Sequence, residues 1–372
     1  MIKVWRAPPL TKPYNPPFSA RQIVKELHAD FTSDLLKKLI DGQRFDFREN
    51  DESDGISRDH SCTEPITITV GGVTLGGSGK TQVVRYLAER FLKHGCLKLY
   101  ILGHGYRSQC KKTRMEPSDV RCEEVNSFEQ YGDEAVMLAS CFCTELQSVD
   151  ALRLSPVSSR SLEETGPKVK VLVGGSWYEK WNYAKKQGAQ VIISDGGLYT
   201  CNLPRHIGVT VLSSYDRLAL LPWGRLSRPR SLWAQGTNYI LWGIEDKAMP
   251  FKAGVGLDIK AQLSQHRFIC VKNKKSLSHL PTHENGKISV ICGIANPIRF
   301  RKILLQMGYH IDQWLQVRDH VPFSKRIIQA VNDSPEQIWV TTMKDVPKFI
   351  DPPSSLWALD FSISVHTEIN SL

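Results

Sequence analysis

Val70-Gly71-Gly72-Val73-Thr74-Leu75-Gly76-Gly77-Ser78-Gly79-Lys80-Thr81 ends a glycine-rich run with an amine and a hydroxyl. That spacing suits the binding of a nucleoside triphosphate. Glycines let backbone N–H groups close around phosphate oxygens, and a following helix adds positive charge at its N-terminus. A lysine at the end of such a loop reaches the β- and γ-phosphates, and the next hydroxyl ligates Mg²⁺. Thr74, Leu75, Gly76, Gly77, Ser78, Gly79, Lys80 and Thr81 are therefore the expected nucleotide-binding residues. The strict pattern G-x-x-x-x-G-K-[ST] asks for glycine where this chain has Thr74. The plainer alternative is a glycine-rich turn before an ordinary helix. Five glycines between positions 71 and 79, with the Gly-Lys-Thr ending, favour the phosphate loop.

Three further positions carry chemistry. The apolar run Ala189-Gln190-Val191-Ile192-Ile193-Ser194 ends in Asp195. In phosphate-loop proteins a strand-terminal carboxylate faces the loop and holds Mg²⁺, directly or through water. Strand-terminal aspartates are also common in turns, so the loop upstream is what makes Thr81 and Asp195 the metal candidates. Asp133-Glu134 opens a helix, where acidic residues are commonly just partners of the helix dipole. Asp319-His320 lies in a loop after a strand.

The elements that position these residues read as alternating strands and helices. A β-branched strand over 66–70 feeds the glycine loop, and apolar residues over 82–92 recur at helical spacing. Further strands are expected at 97–102, 169–173, 189–195, 208–212, 239–242, 288–292, 314–317 and 337–341, with helices at 131–139, 176–186 and 298–307. The loop Gly103-His104-Gly105-Tyr106-Arg107 lies at a strand's C-terminal end, the edge where open α/β sheets bind ligands. The expected fold is α/β: a P-loop NTPase-like, mainly parallel sheet flanked by helices, with a second, smaller α/β C-terminal domain. Residues 246–286 show turn formers and a basic run rather than an element. The expected domains are 1–60, 61–215 and 216–372.

The chain has 372 residues, 41% of them hydrophobic and 23% charged, as in a globular protein of more than one domain. Its net charge of +10 suits an anionic partner. Nine scattered cysteines without a C-x-x-C pair predict reduced thiols in a cytosolic compartment. Neither a spanning helix nor the apolar core of a secretion signal is expected. At 19–40 the residues Ile23, Leu27, Phe31, Leu35 and Leu39 form one stripe, bordered by Lys25, Lys37 and Lys38. Such a helix either packs on its own domain or rests in a membrane interface. Residues 46–59 read as an acidic loop.

Taken in order, these segments resemble tetraacyldisaccharide 4′-kinase, an enzyme family of the lipid A pathway of Gram-negative bacteria. The residues that carry the resemblance are the loop 74–81, Gly105-Tyr106-Arg107, Gly132-Asp133-Glu134 and Ile192-Ile193-Ser194-Asp195. They continue with Leu220-Leu221-Pro222, Gly293-Ile294-Ala295-Asn296-Pro297-Ile298-Arg299-Phe300, Asp319-His320 with Phe323, and Lys344-Asp345. The family's loop also begins with threonine or serine, which accounts for Thr74. The resemblance implies transfer of phosphate from ATP to the 4′-hydroxyl of an acylated glucosamine disaccharide 1-phosphate, with Mg²⁺, at the cytoplasmic face of the bacterial inner membrane. It implies that Asp133 and His320 form a catalytic pair with Lys80, and that the 19–40 helix is a peripheral anchor on an anionic membrane surface. Residues 61–215 then form the kinase domain.

The family pattern is broken at Gly196 (a second aspartate), His104 (arginine), Met343 (glutamate) and 224–229. A P-loop ATPase or GTPase switch or metallochaperone, or a non-catalytic nucleotide- or lipid-binding homologue, is the competing reading. No nucleic-acid recognition module is seen, and the oligomeric state is left open.

Overall fold

The computed structural model describes residues 64–74, 76–93, 96–112, 116–120, 127–142, 168–200, 202–212, 223, 226–227, 239–242, 257–282 and 286–366. The expected 19–40 helix, the acidic loop, Leu75 and Leu220-Leu221-Pro222 lie outside these residues. Residues 59–372 form one compact unit.

The strands are β1 (Ile66–Gly71), β2 (Lys98–Leu102), β3 (Ser118–Asp119), β4 (Lys168–Val173), β5 (Val191–Asp195), β6 (Ile207–Leu212), β7 (Tyr239–Trp242), β8 (Leu257–Cys270), β9 (Ser276–Leu277), β10 (Lys287–Cys292), β11 (His310–Gln316), β12 (Trp339–Thr342) and β13 (Leu356–His366). The helices are α1 (Lys80–Lys93), α2 (Gln109–Lys112), α3 (Ser127–Tyr131), α4 (Asp133–Phe142), α5 (Trp177–Lys186), α6 (Pro297–Gln306) and α7 (Lys325–Asn332). Among the described residues the strands run in the order β11-β10-β12-β13-β8-β7-β6-β1-β5-β2-β4-β3, with β9 paired to β8. The pairings from β4 across to β8 are parallel, as are those from β11 to β13, while β8 and β13 pair antiparallel. β5 and β6 are buried at every position, which matches their mainly apolar, β-branched sequences and the cover on both faces of a parallel sheet.

The two parallel blocks are joined by a ribbon. β7 pairs with the start of β8, at Leu257 to Lys260, and β12 pairs with the start of β13, at Leu356 to Leu359. From Ala261↔Val365 to Arg267↔Asp360, β8 and β13 pair with each other alone among the described strands. The expected division near residue 215 falls between β6 and β7, which pair in parallel, so the N-terminal block runs on through β7.

Helix α1 is fastened to this ribbon. The Arg85 guanidinium donates to both carboxylate oxygens of Asp360, at 3.2 Å for the Nη2–Oδ2 bond, and its Nε donates to Glu89 at 2.8 Å. Arg267 on β8 donates to the same carboxylate at 3.0 Å. Arg85 and Asp360 are both buried, so removing the carboxylate strands a guanidinium in the interior. Asp360→Asn is expected to cost about 3 kcal/mol of stability, read as a lower denaturant midpoint in urea unfolding.

Candidate active site

Sheet register assembles the phosphate side of the site. β1 and β5 are parallel neighbours with Val70 opposite Asp195, so the glycine loop and the aspartate leave the sheet at the same edge. β2 lies on the other side of β5 with Leu102 opposite Ser194, which brings the 103–107 loop to that edge too. Gly76, Gly77 and Gly79 hold φ of 65°, 69° and 92°, the left-handed region that opens backbone N–H groups to a ligand. Helix α1 begins at Lys80, where the loop ends. Thr74 forms an antiparallel bridge with Leu226 and is 4% exposed. Bridge backbone is extended, and a β-branched residue fits it well. That is the physical reason threonine stands where the strict motif has glycine. The Thr74 and Ser78 hydroxyls are buried without a hydrogen-bond partner.

Thr81 Oγ1 donates to Asp195 Oδ2 at 3.0 Å. A hydroxyl and a carboxylate turned to one point are hard oxygen donors, the set Mg²⁺ prefers. Burial, with Glu134 nearby, pushes the Asp195 carboxyl up to about 6, against Lys80, the Thr81 hydrogen bond and Lys344. A carboxylate in that state is short of positive charge, and a bound cation supplies it. The oxygen set therefore fits Mg²⁺.

The second half of the site is built around Asp133, the first residue of α4. Its carboxylate is 3% exposed. His320 Nδ1 lies 2.8 Å from Asp133 Oδ1, so residues 187 positions apart in sequence meet. Burial alone raises the Asp133 carboxyl. The hydrogen bond from His320 and the charges of Lys344, His320 and Lys348 outweigh it and hold the group below its usual value. An ionised carboxylate only accepts, so Nδ1 of His320 carries the proton. His320 has a φ of 58°, a strained conformation for a side chain of its size, costing on the order of 1 kcal/mol. The Tyr106 ring packs edge-on against His320 at 4.9 Å between centroids.

Two lysines of the β12 loop complete the cluster. Lys344 Nζ lies 2.8 Å from Asp319, 3.2 Å from Glu134 and 3.9 Å from Asp133. Burial opposes its charge, but Glu134, Asp133 and Asp319 raise its pKa. Lys348 lies 3.6 Å from Asp133 and 2.6 Å from Asp345, and donates to Gly293 O at 3.1 Å. Asp133, Asp319 and His320 also converge closely enough to hold a metal ion. The Lys344 ammonium already stands among them, so the metal candidates remain Thr81 and Asp195. Lys80, Thr81, Asp133, Asp195 and His320 were all expected from sequence. Lys344 and Lys348 were not assigned to the site, nor were Glu134 and Asp319. Lys344-Asp345 closing a strand was the available signal, and a lysine there is usually solvated.

The family model of tetraacyldisaccharide-1-P 4′-kinase matches residues 39–154 and 161–372. The chain belongs to that family. The tetraacyldisaccharide 4′-kinase of Desulfotalea psychrophila is 27% identical over 312 residues, which cover 79% of this chain and 81% of that one. The Aquifex aeolicus enzyme is 25% identical over 340 residues, 90% of this chain and 93% of that one. A crystal structure of LpxK from Aquifex aeolicus in complex with ATP matches with a TM-score of 0.61 over 82% of this chain and 86% of that chain, at 22% identity. At that identity the match speaks for the fold: a mainly parallel, helix-flanked sheet of the P-loop kinase type.

Within the tetraacyldisaccharide-1-P 4′-kinase family this chain has rebuilt one corner. Gly196 has a φ of 120° and donates its N–H to Val70 O at 2.8 Å. A Cβ there meets Trp177 at 3.1 Å. The chain thus excludes a side chain where the family pattern has its second aspartate. Gly196→Asp is expected to lower the melting temperature and to reduce rather than restore phosphate transfer, since the strained backbone alone costs about 1–3 kcal/mol. Calorimetry and a transfer assay on the same preparation check both.

Proposed function

We propose that this chain transfers the γ-phosphate of ATP to the 4′-hydroxyl of tetraacyldisaccharide 1-phosphate. The observation that carries this reading is the contact of Asp133 with His320 beside a phosphate loop, in a chain of this family. Phosphoryl transfer asks a protein chiefly for positioning and charge neutralisation, plus a group that takes the hydroxyl proton. Lys80 reaches the β- and γ-phosphates. Asp133, held ionised, accepts the proton of the attacking hydroxyl at a carboxylate oxygen. His320 fixes the direction of that carboxylate through its Nδ1–H. Lys344 and Lys348 keep Asp133 charged and stand close to where negative charge moves during transfer. Thr81 and Asp195 are the residues for Mg²⁺, which when bound neutralises charge on the β- and γ-phosphates.

The phosphate-loop half supplies the nucleotide side and the C-terminal half supplies His320 and the lysines, in keeping with two domains that close on one site. An acylated acceptor places the reaction at a lipid surface, here the cytoplasmic face of the bacterial inner membrane, with the 19–40 segment as peripheral anchor. The net charge of +10 supports contact with anionic lipid. So does α6, where Ile298, Arg301, Lys302 and Leu305 are exposed and share one helix face. No helix among the described residues is long and apolar enough to cross a membrane.

Transfer of labelled γ-phosphate to detergent-dispersed acceptor tests the reaction. Lys80→Ala, Asp133→Ala and His320→Ala are each expected to lower the rate by about 100-fold or more. Undiminished turnover in Asp133→Ala sinks its assigned role. Nucleotide hydrolysis indifferent to acceptor favours a switch ATPase, and ATP binding without transfer favours a non-catalytic homologue. For the anchor, full-length protein is expected to float with anionic liposomes and a variant lacking residues 1–45 to float less. Equal flotation rejects the anchor.

A further inference from the structure

A cavity of about 440 Å³ lies beside the 103–107 loop, lined by His104, Cys110, Lys111, Trp177, Glu179 and Lys180 together with Gly174 and Gly175. It is two ring contacts from the catalytic histidine. The His104 and Tyr106 centroids are 6.1 Å apart, and Tyr106 and His320 are 4.9 Å apart. Lys180 is 3% exposed, donates to Gly103 O at 2.7 Å, and sets its Nζ 3.9 Å from the centroid of the Trp177 ring. Lys111 Nζ lies 2.8 Å from Nδ1 of His104. Among the described residues neither lysine forms an ion pair with a carboxylate. The carboxylate at the rim, Glu179, is committed to the α5 cap, accepting from Ser176 N at 2.5 Å.

Two lysine side chains therefore line one cavity, and its carboxylate, Glu179, is engaged with the Ser176 backbone rather than with either of them. Burial and Lys111 push Lys180 down to about 7, and burial with both lysines pushes His104 down to about 4 against the pull of Glu134. Such an arrangement is unfavourable when empty and favourable around a small dianion. Lys180 keeps donors free after its bond to Gly103 O, and Lys111 keeps one after its contacts with the two ring nitrogens of His104, because an ammonium has three.

We propose that this pocket binds a phosphate monoester through Lys111 and Lys180, and that during the reaction it holds the phosphate the acceptor carries at the end remote from its reacting hydroxyl. This rests on the kinase reading above. The pocket lies at the His104 end of the ring chain and His320 at the other, two ring steps of 6.1 and 4.9 Å that a disaccharide can span. Gly196, packed on Trp177, keeps that ring in place under Lys180.

The test uses full-length protein and two acceptors: the acylated disaccharide 1-phosphate and the same disaccharide without its phosphate. Wild type is expected to show a KM about tenfold lower for the phosphorylated acceptor, the worth of one charge-assisted contact. Lys111→Ala and Lys180→Met are expected to raise that KM about tenfold, making the two acceptors alike, with Lys111→Arg recovering the difference. Lys111 is exposed, so its variant folds even if Lys180→Met does not. Variants that still discriminate as wild type does overturn the pocket while leaving the kinase reading intact.

If wild type transfers to neither acceptor, the kinase reading fails and a second measurement decides the pocket. Glucosamine 1-phosphate is expected to change tryptophan fluorescence in wild type but not in Lys111→Ala or Trp177→Phe, and glucosamine is expected to change neither. No change with glucosamine 1-phosphate overturns the site. An equal response to inorganic phosphate at equal concentration overturns its assignment to the acceptor.

Discussion

A negative charge at Asp133 is stable in the interior because its cations and its histidine come from across the fold. Asp133 starts α4 in the phosphate-loop half. His320 follows β11, and Lys344 and Lys348 follow β12, all in the C-terminal half. An unpaired buried carboxylate is strongly destabilising, and so is an unpaired buried lysine. Lys348 has a fully buried side chain, and it spans Asp345, Gly293 O and Asp133. Packing of the two halves and assembly of the reactive group are therefore one interaction. Neither half alone supplies both the carboxylate and the groups that hold it ionised.

The rest of the sheet serves that meeting. Parallel register puts the loops after β1, β2 and β5 at a common edge, as the positions of Val70, Asp195, Leu102 and Ser194 show. The C-terminal strands run the opposite way, because β8 and β13 pair antiparallel. A flat sheet would send their loops to the far edge. The long two-stranded stretch of the ribbon is what lets the second block turn back, and twist is largest in two-stranded ribbons. Arg85 on α1 binds Asp360 in this stretch. The helix that follows the glycine loop thus also binds the ribbon that carries the second block.

The strands β1, β2, β4, β5 and β6 were legible because buried parallel strands are continuous apolar runs bounded by glycine and charge. The glycine loop and Asp195 were legible from spacing. β8 was not. Its sequence, Leu257-Asp258-Ile259-Lys260-Ala261-Gln262-Leu263-Ser264-Gln265-His266-Arg267-Phe268-Ile269-Cys270, mixes polar residues throughout, and from Ser264 to Arg267 every residue is exposed or half-buried. Apolar and polar residues alternate from Leu257 to Ser264, but the pattern ends at Gln265-His266-Arg267, where the ribbon is exposed and no face is buried. β13, its partner, carries a signal that was not read: Leu356 to Asp360 are buried, and Phe361-Ser362-Ile363-Ser364-Val365 alternates. The union of Asp133 with His320 came from a resemblance, since no local pattern links residues so far apart. Lys344 and Lys348 stayed hidden because nothing in the sequence marks their burial, and only the packing of β10, β12 and α4 removes them from water.

The corner around Gly196 shows how far one replacement reaches. With glycine at 196 the backbone takes a φ closed to other residues, and Ser194 Oγ locks it by donating to Gly196 O at 2.7 Å. Trp177 then occupies the volume a side chain would use, and its ring carries Lys180 above it. The negative charge lost from the strand end is not absent from the site. Burial, and after it Glu134, one residue past Asp133, raise the Asp195 carboxyl. Asp195 on β5 thus feels a charge carried by α4, and α4 is tied to the C-terminal half by the same lysines that hold Asp133 ionised.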